Sequence, residues 1–450
     1  MDQLRTRSST GWGRLRGRGL LLCLLPLLVA AASAPAATPQ NQLEPERLLI
    51  VAIAEKPDPP PIVGSTPRGY GGLPNYNGSL RSIAGAARLA KDYGLREVSA
   101  WTIKSLRLRC MLYELPSKAD HEEMLTRLRR DDRVRLVQPL QSFDTLTTPA
   151  VDAIPDPAAA ATATRYNDPY IGLQRGFTAI GADQAQRWSS GSGVRVALID
   201  SGVDVAHPDL RGRIALTRDF VGANQAVAAE DRHGTQVAGV IAAVANNRIG
   251  IAGIAPGARL YAYRACWSMA DSTTARCNSF TLALALDAAI DVDARIINLS
   301  LGGPADPLLE QLVRQAIDRG AIVIGALPGS GRLDGFPLNV PGVIAVADTD
   351  APPTSERTLG APGREILTLE PGGRYDYASG SSLAAAHVSG AIALLLQLNP
   401  RLRGSDAIRL LGKVGGAAAS IDVCAAAQAL QGSEERCQSA EPGLPQHARR

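Results

Sequence analysis

Three residues able to share one chemistry stand at the edges of small or apolar runs: Asp200, His233 and Ser382. Asp200 closes the run Val194-Arg195-Val196-Ala197-Leu198-Ile199-Asp200, with Ser201-Gly202 behind it. A β-branched, mostly apolar run of this kind reads as a buried parallel strand with a carboxylate at its C-terminal end, where open α/β sheets bind ligands. His233 heads a run of small residues, Gly234-Thr235-Gln236-Val237-Ala238-Gly239, which reads as a helix. Ser382 lies in Gly380-Ser381-Ser382-Leu383-Ala384, and the apolar run continues through Ile392 and Leu394 to Leu398. A helix with no polar face belongs inside a domain. Its first turn offers free N–H groups and the positive end of the dipole. A hydroxyl there can attack a carbonyl while the helix start steadies the oxyanion, with a histidine as base and a carboxylate to orient it. Taken alone, Ser382 also fits a helix N-cap, a role Ser favours. The Asp200 and His233 blocks turn the balance toward the nucleophile.

These blocks resemble the motifs of the subtilisin-like serine proteases (subtilases, peptidase S8): Asp-Thr/Ser-Gly, His-Gly-Thr and Gly-Thr-Ser-Met-Ala-x-Pro-His. The order Asp, His, Ser is the subtilisin order, and Gly380 to Ala384 lacks the Gly-x-Ser-x-Gly elbow of lipases and esterases. The resemblance runs from about Tyr166 to Leu430. It implies that Ser382 is the nucleophile, His233 the general base and Asp200 the orienting carboxylate. It also implies that Ser300-Leu301-Gly302-Gly303 is the edge that pairs with extended substrate, the glycines allowing close approach. A plain turn after a buried strand is the other reading of that segment. Among the remaining histidines, His387 matches a structural position of the family, His207 is expected in a surface turn, and His121 and His447 fall outside the domain. The chain departs from the pattern at Leu383 (for Met) and Ala386 (for Pro). A larger departure is Ala326-Leu327-Pro328-Gly329-Ser330-Gly331, where the family has Ala-Ala-Gly-Asn-x-Gly. Gly329 thus stands where an Asn side chain would serve the oxyanion. The Ser382 N–H remains as a donor, with Gly329 or Ser330 in place of the usual Asn.

A chain of 450 residues is long enough for two folded units with tails. Apolar residues make up 45% and aromatics 4%, which suits a core of Ala, Val, Ile and Leu. Net charge is only +4 and the arginines are scattered, so nucleic acid is not an expected partner. Residues 1–36 read as a signal peptide, with Arg5, Arg7, Arg14, Arg16 and Arg18 before the apolar stretch Leu20 to Val29. Cleavage is expected at Ala32-Ser33-Ala34 or Ala34-Pro35-Ala36, giving a secreted or periplasmic protein. The apolar stretch is short for a membrane span, a signal anchor being the alternative, and no later stretch is expected to span a bilayer. Residues 47–143 read as strand, helix, strand, strand, helix, strand, the order of a ferredoxin-like α+β unit. By order and position this unit resembles a subtilase propeptide, an intramolecular inhibitor, with an unrelated accessory domain as the alternative. The Ala/Thr/Pro-rich run 144–165 reads as a linker. From 166 to 430 strands and helices alternate, which gives an α/β fold: a parallel sheet with helices on both faces. Residues 431–450 form a tail.

Of the six cysteines, Cys23 falls in the expected signal and Cys110 in the small domain, leaving Cys266, Cys277, Cys424 and Cys437. Proximity favours Cys266–Cys277 and Cys424–Cys437 as disulfides of an oxidising compartment, buried free thiols being the alternative. No Cys-x-x-Cys or His-rich spacing points to a metal. Subtilases often bind calcium, but no acidic loop here argues for it, so no cofactor is assigned. The expected protein is an exported serine endopeptidase acting on polypeptides as a monomer and made as a self-processing zymogen. The absent Asn supports a second reading, a catalytically weak subtilase-like protein that binds peptides or a partner.

Overall fold

The computed structural model describes residues 45–56, 79–146, 148–149, 165–222, 231–269, 274–349, 355, 357–412, 420–433 and 437. The expected signal peptide, most of the run 144–165 and most of the tail lie outside them. The N-terminal unit has β1 (Leu48–Ala54), a helix Leu80–Tyr93, β2 (Arg96–Ile103), β3 (Leu108–Glu114), a helix His121–Arg129 and β4 (Val134–Pro139). The strands form one sheet in the order β2-β3-β1-β4, the split-βαβ arrangement. Ser79 caps the first helix through the Ser82 N–H, and Asp120 caps the second through the Glu123 N–H.

Strand β1, Leu-Leu-Ile-Val-Ala-Ile-Ala, does not alternate because both of its faces are covered. Leu49, Val51 and Ile53 share a core with Leu89, Leu125 and Leu128 of the unit's own helices. Leu48, Ile50 and Ala52 join Trp101 and Leu112 in a second core that continues into Phe280, Leu282 and Leu308 of the larger domain. The rings of Trp101 and Phe280 meet edge to face at 4.6 Å. Polar contacts fix the same junction. Gln138 Nε2 donates to Asp306 Oδ2 at 2.7 Å, and Gln138 Oε1 accepts from the Leu308 N–H at 3.0 Å. Asp306 accepts from the Leu308 and Leu309 N–H groups as well, so Gln138 helps to cap the helix Pro307–Asp318.

The chain then forms β5 (Ser142–Thr145), which straddles the expected end of the small domain at 143, and β6 (Thr148–Pro149) in the stretch expected to be a linker. The larger domain then contributes β7 (Arg195–Asp200), β8 (Ile214–Asp219), β9 (Arg259–Arg264), β10 (Cys266–Ser268), β11 (Ala275–Asn278), β12 (Ile296–Leu299) and β13 (Leu301–Gly302). Strands β14 (Ile322–Ala326), β15 (Ile344–Asp348), β16 (Thr358–Ala361), β17 (Ile366–Glu370) and β18 (Arg374–Ser379) follow. Seven strands build one sheet, β16-β15-β14-β12-β7-β9-β8, and every neighbouring pair in it runs parallel. The fold is the α/β class expected from the alternating pattern.

Helices Arg232–Ala242, Ser279–Asp291, Pro307–Asp318 and Ser381–Leu398 fall where the periodicity predicts them. The last is long and apolar enough to cross a bilayer, contrary to the reading of the sequence, yet 83% of it is buried inside the domain. It packs with strands of the parallel sheet and with the helix Arg232–Ala242, so its apolar surface serves a protein core. Both disulfides expected from proximity are present. Cys266–Cys277 joins register partners of β10 and β11, and Cys424–Cys437 ties the helix Val423–Gln431 to the chain beyond it.

Candidate active site

Asp200 ends β7, and its side chain is fully buried. Its Oδ1 accepts from the Ser201 N–H at 2.6 Å and meets His233 Nδ1 at 2.6 Å. This contact fixes the imidazole: Nδ1–H donates to the carboxylate, which leaves Nε2 as the free lone pair. His233 is the second residue of its helix, and several groups hold the head of that helix against the end of β7. The Gly234 N–H donates to Ser201 Oγ at 3.0 Å, and the Asp204 N–H donates to Thr235 Oγ1 at 2.9 Å. Gly234 is required by contact rather than by backbone angle, since a Cβ there would lie 2.6 Å from the Gly202 carbonyl oxygen. Asp231, just before the helix, accepts from the Gly202 N–H at 3.0 Å and from Arg264 Nε at 2.9 Å. On the other side, Glu370 of β17 receives Arg232 Nε at 2.7 Å and Gln236 Nε2 at 2.6 Å. Hydrogen bonds thus tie the element that carries the histidine to the end of the strand that carries the carboxylate.

Ser382 is the second residue of the helix Ser381–Leu398, and the cap position belongs to Gly380, which makes no side-chain cap. The capping role considered for Ser382 is therefore not the one it fills. Gly380 has φ 145, a conformation that favours glycine, and its N–H donates to the Gly363 carbonyl at 2.6 Å. The Ser382 Oγ is buried and donates to the Ser300 carbonyl at 3.0 Å. His233 Nε2 is buried and has no hydrogen-bond partner among the described residues. A hydroxyl moves between acceptors by rotating about χ1, and such bonds commonly tighten only around substrate.

Ser300 belongs to a buried polar chain. Its Oγ donates to Asn298 Oδ1 at 2.9 Å, and Asn298 Nδ2 donates to Ser389 Oγ at 3.0 Å on the Ser382 helix. The end of β12 and the serine-bearing helix are pinned to each other through these bonds. Leu301 and Gly302 form β13, an edge strand, and Gly303 bonds back to the Phe336 carbonyl. The edge is filled by the protein's own chain: β5 lies between β11 and β13, antiparallel to both. Just past β5, the Leu146 N–H donates to the Ser300 carbonyl at 3.3 Å. The Leu146 carbonyl accepts from the Ser382 N–H at 3.3 Å. Sequence reasoning missed this segment, because a short polar run has no period of its own to signal a strand.

Gly329 lies in a turn closed by the Gly331 N–H on the Pro328 carbonyl at 2.8 Å, and both Gly329 and Ser330 are exposed. Gly329 is absent from the residues with positive φ, and a Cβ built on it meets nothing within 4 Å. His207 departs from expectation. It is buried, not in a surface turn, with Nδ1 accepting from the Asp209 N–H at 3.2 Å and its ring edge to face with Tyr375 at 5.4 Å.

His387 is structural in its contacts. Its Nδ1 donates to the Leu383 carbonyl at 2.8 Å, and burial holds the imidazole down at about 4 against an ordinary 6.5. Between those values the unfolded chain takes up a proton that the folded chain refuses. The contribution of His387 to stability is therefore full above about pH 6.5 and is lost as pH falls toward 4, by about 3 kcal/mol over the window. With Ser382→Ala in the background to prevent self-digestion, the Tm should drop between pH 7 and 4.5 about 5 °C further than that of the same protein carrying His387→Gln. Equal drops would show that His387 does not set the acid limit.

Comparison with known proteins agrees with this architecture. Residues 191–413 match the Subtilase family. Thermitase from Thermoactinomyces vulgaris is 38% identical over 241 residues, covering 51% of this chain and 84% of the relative. Alkaline protease from Alkalihalobacillus alcalophilus is 31% identical over 348 residues, 71% of this chain and 85% of the relative. Of subtilisin E from Bacillus subtilis (strain 168), 37% identical, the chain spans 57%. The crystal structure of fervidolysin from Fervidobacterium pennivorans, a keratinolytic enzyme related to subtilisin, superposes with a TM-score of 0.66 at 22% identity, covering 85% of this chain and 61% of that one. The chain belongs to the subtilase family. It is a subtilisin-like serine endopeptidase, and its substrates are polypeptides.

Proposed function

We propose that the peptidase works through Asp200, His233 and Ser382 and is made as a zymogen that cuts itself after Leu146. In this reading Ser382 Oγ attacks the scissile carbonyl and passes its proton to His233 Nε2. Asp200 holds the tautomer and stabilises the imidazolium, which then protonates the leaving amine. Water enters by the same base and releases the acyl group. The developing oxyanion takes the Ser382 N–H, assisted by the dipole at the start of a long buried helix.

One observation carries this reading: the Leu146 carbonyl bonded by the Ser382 N–H, with the Leu146 N–H on Ser300. A residue held at both ends beside the serine has the position of the acyl residue of a substrate. The Ser142–Thr145 strand that leads to it is anchored on its other side by the small domain, whose sheet packs against the helices Ser279–Asp291 and Pro307–Asp318. That domain therefore has an attribute of an intramolecular inhibitor: the chain leaving it runs through the Ser142–Thr145 strand to the Ser382 N–H. Export as a secreted or periplasmic protein follows from the basic and apolar N-terminal run and agrees with the two disulfides.

A fluorophosphonate probe tests the reading directly, because it reacts only with an activated serine. The wild-type protein should be labelled at Ser382, and His233→Ala should reduce labelling by at least about a hundredfold, within the range general-base catalysis supplies. Labelling of wild type and His233→Ala at equal rates would sink the assignment.

A further inference from the structure

Counted back from Leu146, the residues in the cleft are Thr145, Asp144 and Phe143, in positions two, three and four before the proposed cut. Register is fixed on both sides. Cys277 opposes Phe143 and Arg276 opposes Asp144 on β11, while Leu301 opposes Thr145 and Gly302 opposes Asp144 on β13. Phe143 is buried edge to face with Phe336 at 5.6 Å, and Thr145 Oγ1 accepts from the Ala275 N–H at 2.9 Å. Asp144 alone of the three points to solvent, where its Oδ1 meets Arg276 Nε at 3.1 Å. Arg276 sits one residue from Cys277, whose disulfide to Cys266 closes β10 and β11 into a stapled pair. The guanidinium is thus presented from a braced strand, and it faces whichever side chain occupies the third position of a bound strand.

We infer that Arg276 is a specificity-determining residue, selecting polypeptides with a carboxylate side chain at the third residue before the cut. The inference rests on the proposed reading of Leu146 as the acyl residue. Arg276 and Asp144 are each about half exposed, at 44% and 51%, so water screens the pair and the preference is modest. Attraction to Asp together with repulsion of Lys should separate the two by about fivefold, with Asn between them. The preference belongs to substrate capture and orientation, since the charge lies away from the reacting bond.

Internally quenched peptides of sequence Phe-Asp-Thr-Leu-Thr-Thr, Phe-Asn-Thr-Leu-Thr-Thr and Phe-Lys-Thr-Leu-Thr-Thr test this on enzyme obtained from the full chain. In wild type kcat/KM should fall in the order Asp, Asn, Lys, and the spread should shrink in 1 M salt. Arg276→Gln should flatten the series and Arg276→Glu should invert it, with the Asn peptide cut at a similar rate throughout. Cleavage of all three peptides with no charge preference, or a preference that survives in Arg276→Glu, overturns the inference. Cleavage of none, with Ser382 unreactive to fluorophosphonate, overturns the reading beneath it and this inference too.

Discussion

Ser382→Ala should leave the chain uncut, whereas the unaltered chain should separate after Leu146 into an inhibitory fragment and a peptidase beginning at Thr147. The expected effect is the largest available to a single substitution. Loss of the nucleophile lowers turnover on the order of 10⁶, a figure drawn from subtilisin itself. What stays behind in the variant is the binding geometry: the Ser382 N–H and the Ser300 carbonyl are backbone groups, so Leu146 keeps both of its bonds. Alanine at the second position of a buried helix removes one hydroxyl and creates no clash, so the variant should fold with its strand still seated. Intact-mass measurement and N-terminal sequencing of the two purified proteins decide the matter. Equal processing of both would rule out self-cleavage. Processing of wild type at another bond between Phe143 and Tyr166 would keep self-cleavage and displace Leu146 from the acyl position.

The elements that hold the site could be read from the sequence because each answers to a simple physical demand. Buried parallel strands such as β7 and β14 read as continuous apolar runs, and a helix covered on all sides reads as Leu383 to Leu396 does. Asp200 and His233 stand out because a charged or titratable group that ends an apolar run needs a partner there, and each supplies the other. Strands β5, β6, β10 and β11 were not legible for the opposite reason. They are two to four residues long, and they exist because other strands flank them rather than because their own residues alternate. Phe143, the last residue expected of the small domain, lies on β5 between β11 and β13, with its ring buried against Phe336. His207 was misplaced because a polar ring before Pro208 suggests a turn. The turn is real, but Tyr375 and the Arg374 carbonyl close over it, the latter at 3.1 Å from Nε2.

Gly329→Asn should raise turnover, by about tenfold or more on one peptide, with little change in KM. Attack on a carbonyl places negative charge on its oxygen, and a donor aimed at that charge acts chiefly in the transition state. One such donor is worth roughly 10²–10³ in turnover, a range that itself comes from subtilisin. On the proposed reading the matching position, Gly329, has no side chain, and the Ser382 N–H carries the load that an amide would share. The backbone permits the change. Gly329 does not need the left-handed conformation, and an added Cβ meets no atom within 4 Å, so Asn enters without strain. It also stands just beyond β14, at the C-terminal end of the parallel sheet, the end from which β7 delivers Asp200 and β12 leads into Ser300. The gain need not reach the full range, because Pro328 fixes one side of the turn and limits how far the amide can swing. Ser330 is exposed, and Ser330→Ala should leave turnover unchanged within about twofold, as a surface substitution away from bonded groups does. The measurement is kcat and KM for wild type, Gly329→Asn and Ser330→Ala on a single peptide. A gain confined to kcat supports the missing-donor account, because a better-bound ground state would lower KM instead. If Asn brings no gain while Ser330→Ala abolishes activity, then Ser330 is the working donor and the turn must close onto the substrate when it binds.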